Sequence, residues 1–296
     1  MLNRALVGTA PVPPRRTVLS ALIALLLSCA LGLSAAVPAR ATSFEDKSDN
    51  WSGVIGKPKN LGSAPVDLVQ MEFVVPILDC KRTRDGWVSI WAGMDSASSN
   101  GGTKPNVTQA GIMGRCVGGA PHWNGWYQAH PDFESTQMPG MPPLRSGQHI
   151  WLTLLYYPYP NENSFRAEFS VRDSGVRNVG SSNTYFKIFE TQAGATQRAR
   201  AECIVERPTV DRVYPKLAKF SMADKTDFTA GCWGGGTGIY NPIDGLDIHS
   251  SNALIVDMWS YWYNKKLGID IERRKMVNTS VDQTSGKITW KWLNDS

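Results

Sequence analysis

The sequence predicts an all-β protein. Short apolar and aromatic runs recur along the chain, clusters of Gly, Pro, Asn, Asp and Ser separate them, and no long helical pattern is present. Many short strands with turn signals between them are typical of a β-sandwich or a β-barrel. The runs that we expect to form strands are residues 66–75, 87–94, 125–130, 149–157, 165–171, 184–189, 199–205, 218–222, 253–262 and 287–292.

The N-terminal residues 1–41 have the layout of a signal peptide. Arginines precede an apolar run over 18–37, and Ala39-Arg40-Ala41 offers an A-x-A cleavage site. We therefore expect a secreted protein, extracellular or periplasmic, in which residues 42–296 form a single domain that opens with a polar arm. Export by a twin-arginine route, a lipid anchor at Cys29 and an uncleaved membrane anchor stay open as alternatives.

The charge of the chain gives no sign of a nucleic-acid partner. Residues 1–41 contain four of the 31 Lys and Arg and none of the 26 Asp and Glu, so the net charge of +5 falls to +1 without them. No basic stripe is interleaved with the aromatic residues. We expect a monomer with no stable membrane association after the signal is removed.

Removing the signal also removes Cys29 and leaves an even set of cysteines. An exported protein with four cysteines is expected to form one or two disulfides. A small buried apolar role is an equal alternative for Cys203. The remaining cysteines are Cys80, Cys116, Cys203 and Cys232.

Several familiar hydrolase sites are excluded by spacing. Glu202 and Glu206 are four residues apart, which along a strand is roughly 13 Å, too far for a glycosidase carboxylate pair. Asp173-Ser174-Gly175 matches half of an aspartic peptidase site but is typical of a turn. No G-x-S-x-G elbow occurs, and none of the four histidines has metal-ligand spacing. We expect no cofactor and no catalytic metal.

A carboxylate and a primary amide remain as candidate catalytic groups. Alternation along a strand places Glu202 and Glu206 on the face opposite Cys203 and Val205, and an open sheet face can hold Gln109 together with Glu206. A carboxylate can take a proton from water, while an amide can hold that water and donate to an oxyanion. This combination favours amide hydrolysis.

From Asn50 to about Ser221 the chain resembles the glutamic peptidases, or eqolisins. Asn50-Trp51-Ser52-Gly53 matches the opening N-W-[SG]-G of that family, and Trp91–Asp95 matches W-[VA]-G-[IL]-D. Gln109 falls in Q-[TA]-G, and Glu206 is the second glutamate of A-E-[WF]-I-[VI]-E. The resemblance implies a two-sheet antiparallel β-sandwich like that of the legume lectins, a concanavalin-like jelly roll.

The same resemblance implies the site and the activity. Gln109 and Glu206 are expected to be the catalytic dyad of a secreted endopeptidase that cleaves proteins or peptides in acid to mildly acid solution. The expected substrate-binding residues are Trp51, Trp91, Asp95, Tyr127 and Gln128. The resemblance to bacterial-type members further implies that Cys80 and Cys116 are bridged.

One strand departs from the family pattern. The family writes Y-x-A-W-Y-E-x-Y-P, whereas this chain has Gln128 in place of the glutamate and His130 in place of the tyrosine. These changes place the rate, the pH profile and the side-chain preference in question. The alternative function is a non-catalytic module, a lectin-like or peptide-binding sandwich that uses some of its eleven tryptophans.

Overall fold

All regular structure in the described part of the protein is β-strand, which confirms the all-β prediction. Within those residues, no helix is long and apolar enough to cross a membrane. The predicted signal peptide lies outside them. The computed structural model describes residues 44–56, 61, 64–95, 106–159, 163–173, 182–191, 198–209, 215–220, 227–236, 254–264, 269–282 and 287–292.

Fifteen strands make up this described part. In β3, β8, β9 and β12, buried and half-buried residues alternate, as expected for strands with one face on a core. The strands are β1 Phe44–Ser48, β2 Trp51–Gly56, β3 Leu68–Val74, β4 Trp87–Asp95, β5 Val107–Val117, β6 Ala120–His130, β7 Thr136–Gln137, β8 His149–Tyr156, β9 Ser164–Arg172, β10 Asn183–Glu190, β11 Arg200–Glu206, β12 Asp227–Gly235, β13 Leu254–Asn264, β14 Ile269–Asp282 and β15 Lys287–Trp292.

The strands form one sheet that folds over on itself. Their order is β10-β9-β8-β3-β12-β15-β14-β13-β2-β11-β4-β5-β6-β7, and β1 pairs in parallel with β13. Strands β3 and β8 lie against β4, β5 and β11. We call β2, β11, β4, β5, β6 and β7 the front layer, and β10, β9, β8, β3, β12 and β15 the back layer. Two packed layers confirm the sandwich prediction.

The four cysteines of the described residues form two disulfides. Cys80 and Cys116 form a disulfide, as the resemblance implied. Cys203 of β11 and Cys232 of β12 form a second one, which resolves the alternatives left open for Cys203. This second bridge joins the two layers through the buried core.

Two local predictions differ from the structure. The stretch predicted as a polar arm contains strand β1, because its backbone pairs with Leu254–Met258 of β13 and needs no apolar side chains to do so. The apolar run at 218–222 forms no strand in its described residues. Phe220 makes a single bridge to Leu78, and Leu217 a single bridge to Trp87.

Candidate active site

One row of residues crosses the outer face of the front layer. Glu202 of β11 lies opposite Gly93 of β4, Gly93 lies opposite Gln109 of β5, and Gln109 lies opposite Gln128 of β6. Residues directly opposite each other in antiparallel strands point to the same face. Glu202, Gln109 and Gln128 therefore share one face, and two strand spacings, about 9.6 Å, separate the backbones of Glu202 and Gln109.

Gly93, which lies between Glu202 and Gln109 in this row, has no side chain of its own. A Cβ atom at Gly93 would lie 2.8 Å from Trp91 Cζ3, so the indole of Trp91 covers this glycine closely. Trp91 itself is fully buried. The indole of Trp91 thus lies over Gly93, between the side chains of Glu202 and Gln109.

Glu202 has a buried carboxyl group, one oxygen of which makes no hydrogen bond with the described residues. Its exposed fraction is 1%, and Oε2 has no hydrogen-bond partner within the described residues. Burial raises the pKa of Glu202 well above its ordinary value; the charge of Asp95 and a hydrogen bond with it raise the pKa further, while Arg200 opposes the shift. Glu202 is therefore a carboxyl that keeps its proton to higher pH than an exposed glutamate.

The side-chain amide of Gln109 likewise has an oxygen that makes no hydrogen bond with the described residues. Its exposed fraction is 7%, and Nε2 donates to Gln128 Oε1 at 2.9 Å. Gln109 Oε1 is buried and has no partner in the described part of the chain. A primary amide carries two N–H donors, so one of them remains after the bond to Gln128. This side chain can accept from one group and donate to another at the same time.

Asp95 supports Glu202 from the neighbouring strand. Asp95 is fully buried and lies opposite Arg200 in the pairing of β4 with β11. Arg200 Nε lies 3.1 Å from Oδ1 and 3.0 Å from Oδ2 of Asp95, and Arg200 Nη2 makes a further close bond to Oδ2. The sequence predicted Asp95 near the groove; the structure places it on the site face with its carboxylate held by Arg200.

Glu206 lies elsewhere on the same face. It pairs with Ser89, and Ser89 pairs with Met113, which is four residues along β5 from Gln109. Four residues of strand amount to roughly 13 Å. Glu206 and Gln109 therefore lie on the same outer face of the front layer, and one row, that of Ile204, Trp91 and Gly111, separates their rows.

Three donors surround the Glu206 carboxylate. Trp91 Nε1 donates to Oε2 at 2.7 Å and Asn50 Nδ2 to Oε1 at 3.1 Å. Burial raises the pKa of Glu206, and hydrogen bonds from Trp91, Trp51 and Asn50 act against that rise. Glu206 thus ties β11 to β4 and to the start of β2, and fixes the indole of Trp91.

An apolar cluster adjoins the row of Glu202 and Gln109. Trp51 packs edge-to-face on Trp91, with ring centroids 5.1 Å apart. Trp51 is half-buried, so a molecule bound on the outer face of the front layer can contact it. Trp91 is fully buried beneath that face. The buried members of this cluster are Ile55, Trp91, Val107, Trp126, Ile204 and Val256.

Tyr127 faces the opposite way. It is 8% exposed and packs in the core between the layers, with ring centroids 5.9 Å from Phe133 and 5.0 Å from Phe189. Adjacent strand residues point to opposite faces, so Gln128 is at the site and Tyr127 is not. The predicted substrate contact of Tyr127 is therefore corrected to a core position.

Sequence reasoning did not select three residues that lie beside the predicted ones. Glu202 was considered only as a glycosidase partner, and Arg200 and Asn50 were not considered as site residues. The alternation along β11 already places Glu202 on the correct face, and Asn50 precedes a matched motif. The described residues contain no group of three or more His, Cys, Asp or Glu that could hold a metal ion.

Comparisons with known proteins agree on one family. The chain matches the model of the peptidase A4 family over residues 49–270. Scytalido-glutamic peptidase, solved with a transition state analog inhibitor, has a TM-score of 0.57 at 16% identity, over 83% of this chain and 99% of that chain. This likeness shows a shared fold.

A second solved structure is similar to the chain at a lower TM-score. Aspergilloglutamic peptidase from Aspergillus niger has a TM-score of 0.44 at 16% identity, over 71% of this chain and 100% of that chain. None of the curated proteins compared with the chain matches it.

Proposed function

Because the chain belongs to the peptidase A4 family, it is a glutamic endopeptidase that hydrolyses peptide bonds, and we propose that Gln109 and Glu206 are its catalytic pair. One observation carries this assignment. Glu206 Oε2 accepts a hydrogen bond from Trp91 Nε1, and the indole of the same Trp91 covers Gly93, the residue opposite Gln109. Gln109 Oε1 is buried and without a partner among the described residues, so it can accept a hydrogen bond from a bound water.

The reaction follows from these two groups. Glu206 as carboxylate takes a proton from the water, whose oxygen attacks the carbonyl carbon of the scissile bond. The free N–H of the Gln109 amide donates to the oxyanion of the tetrahedral intermediate. As the C–N bond breaks, Glu206 passes its proton to the leaving amine and becomes a carboxylate again. The water thus supplies both the hydroxyl of the new acid and the proton of the new amine.

Asn50 and Trp91 hold the carboxylate of Glu206 in one orientation. We assign Glu202 a supporting role, since it is buried and its pKa is raised well above the ordinary value by burial and by Asp95. Trp51 is retained as a substrate-contacting residue because it is half-buried beside the pair. The buried indole of Trp91 supports the site from below. Gln128 orients the amide of Gln109 by accepting a hydrogen bond from its Nε2.

The pH range follows from the pKa of Glu206. The reaction needs its carboxylate; burial raises its pKa above the ordinary glutamate value of about 4.3, and hydrogen bonds from Trp91, Trp51 and Asn50 oppose that rise. Activity should therefore rise as the pH increases from that value and be present in mildly acid solution. A neutral amide partner adds no like charge to the pair, unlike the second carboxylate of an aspartic dyad.

The substrate and the compartment complete the proposal. A sheet face with an aromatic wall suits an extended polypeptide, so protein or peptide segments are the substrates. The two disulfides and the layout of residues 1–41 support a secreted enzyme. We propose that the mature chain acts as a monomer, without a stable membrane association and without a cofactor.

Proteolysis of a denatured protein substrate tests the proposal. The purified mature chain is assayed from pH 2 to 7 with pepstatin present, beside Gln109→Ala and the matched control Gln70→Ala, whose side chain bonds Thr153 in the back layer. We expect cleavage by the parent and the control, and a loss of 10²-fold or more, as an order of magnitude, in Gln109→Ala. Absence of cleavage at every pH would indicate the alternative, a binding module.

A further inference from the structure

We propose that Ser48 is a positioning residue of the peptidase reaction: its hydroxyl fixes the side-chain amide of Asn50 so that an amide N–H points to Glu206. This inference rests on the proposed catalytic role of Glu206. The hydrogen bonds of Ser48, the last residue of β1, carry it.

The hydroxyl group of Ser48 makes both accepting and donating hydrogen bonds. Its oxygen accepts from the backbone N–H of Asn50 at 3.3 Å and from that of Trp51 at 3.0 Å. Ser48 Oγ also lies 3.2 Å from Asn50 Oδ1, to which it donates. A serine hydroxyl has one proton and two acceptor lone pairs. Because the two backbone groups occupy both lone pairs, the hydroxyl can only donate to the Asn50 side chain.

This arrangement fixes the orientation of the Asn50 amide. Its oxygen faces the hydroxyl of Ser48, and its Nδ2 donates to Glu206 Oε1 at 3.1 Å. A rotated amide would place its NH2 group against a hydroxyl whose lone pairs are occupied, and its oxygen against the carboxylate. Ser48 disfavours that rotated form and so acts on Glu206 through Asn50.

The backbone around Asn50 is held from two sides. Ser48 lies opposite Met258 where β1 pairs in parallel with β13. Arg207, the residue that follows β11, donates from its backbone N–H to Asn50 O at 2.7 Å and from Nη2 to Asp49 O at 2.9 Å. The bend at 48–50 is thus tied to the end of β11. The N-terminal strand therefore helps to complete the site.

The charged groups near Glu206 stay the same when Ser48 is changed. Two residues opposite Glu206, Trp51 of β2 and Ser89 of β4, do not ionise. The ionisable neighbours are Glu202 and Arg207 of β11, the exposed Asp49 of the bend, and Arg115 of β5, which lies over Trp87 in the next row. A change in the titration of Glu206 on replacing Ser48 can therefore be traced to the Asn50 amide.

Loss of the Ser48 hydroxyl should move the pH profile. Burial raises the pKa of Glu206, and hydrogen bonds from Trp91, Trp51 and Asn50 oppose that rise. Without the amide donor the pKa rises further, and since the reaction needs the carboxylate, the acid limb of kcat/KM moves to higher pH. We expect a shift of about half a pH unit in Ser48→Ala and of about one unit in Asn50→Ala.

The test is the pH dependence of kcat/KM in the mature chain for Ser48→Ala, Ser48→Thr and Ser146→Ala. Ser48→Thr keeps the hydroxyl and should match the parent. Ser146→Ala is the matched control, because Ser146 donates to the backbone oxygen of Pro76 in the turn before β8, and its profile should also match. An unmoved profile in Ser48→Ala, or an equal shift in Ser48→Thr, would overturn the inference. If Ser48→Ala does not fold, Ser48→Cys, whose thiol is a weak donor, decides by the presence or absence of the same shift.

A double variant distinguishes positioning from a purely structural role. Adding Ser48→Ala to Asn50→Ala should give no further shift of the acid limb, because the amide through which Ser48 acts is already absent. A further shift as large as that of Ser48→Ala alone would show that Ser48 acts on another group, and would overturn the inference.

A Glu206→Gln arm separates this inference from the proposed function. Loss of activity in Glu206→Gln together with an unmoved profile in Ser48→Ala refutes only the role of Ser48. Retained activity in Glu206→Gln refutes the catalytic assignment itself, whatever the Ser48 variants show.

Discussion

Glu202 and Gln109 lie in one row of the front layer, with only Gly93 of the intervening strand between them. Each presents a buried oxygen without a partner in the described residues. Burial of an unsatisfied polar atom costs free energy, so a pair of them on one face is expected where a bound molecule completes the bonding. Gln109, which carries one of these oxygens, is the amide of the proposed catalytic pair, and Glu206 lies further along the same face of β11.

Gln128 should contribute to turnover by orienting Gln109. Replacing it with alanine removes the acceptor for Gln109 Nε2, so the amide can rotate away from its reactive orientation. We expect kcat to fall about tenfold, the equivalent of one lost hydrogen bond in the transition state, with a small change in KM. Steady-state kinetics against Gln70→Ala check this. A change confined to KM would instead assign Gln128 to substrate binding.

Gly93 should be essential for activity. Its Cβ would meet Trp91 Cζ3 at 2.8 Å, so Gly93→Ala displaces the indole floor and narrows the space for water. We expect a loss of about 1 to 3 kcal/mol in the free energy of unfolding and a larger loss in kcat.

Gly114→Ala is the matched control for Gly93. Its Cβ would meet the indole of Trp123 at 2.6 Å, but in the core rather than at the site. Urea unfolding and turnover per folded molecule distinguish the two variants. The steric account fails if Gly114→Ala loses turnover as severely as Gly93→Ala does.

The bridge between Cys203 and Cys232 should stabilise the sandwich. It closes a loop with a sequence separation of 29 between the two layers. Loss of that constraint on the unfolded chain is expected to lower the free energy of unfolding by about 3 to 4 kcal/mol. Denaturant unfolding of the Cys203→Ala, Cys232→Ala double variant measures this change. An unaltered midpoint would show that the bridge contributes no net stability.

The free energy of unfolding should also depend on whether Glu202 is protonated. Its raised pKa means that the folded state holds the proton longer than the unfolded state, so the free energy of unfolding falls as pH rises from about 4.3 through the raised value. In Glu202→Gln this part of the pH dependence disappears. Urea unfolding from pH 4 to 7 for both proteins gives the difference. Parallel curves would show that Glu202 titrates normally.

The sequence allowed much of this architecture to be predicted. Alternation within strands is a local property, and it placed Gln109 and both glutamates on open faces before any pairing was known. The same rule assigns Tyr127 and Gln128 to opposite faces, so their joint prediction as substrate contacts was inconsistent with a regular strand. The order of the motifs identified the family.

The position of the two glutamates relative to Gln109 required the structure. It depends on the register of β11 with β4 and of β4 with β5, and a shift of four residues leaves every side chain on the same face. The contact of Arg200 with Asp95 likewise joins residues that are distant in sequence. Strand β1 was missed because backbone pairing to β13 requires no apolar pattern.

The most direct test of the catalytic assignment is the rate of peptide-bond cleavage by Glu202→Gln and Glu206→Gln under one set of conditions. Both substitutions keep the shape of the side chain and remove a carboxylate from the same strand. We expect that Glu206→Gln loses activity by about 10³-fold or more, whereas Glu202→Gln keeps measurable turnover. Full loss in Glu202→Gln with activity retained in Glu206→Gln would contradict the assignment and indicate Glu202 as the base instead.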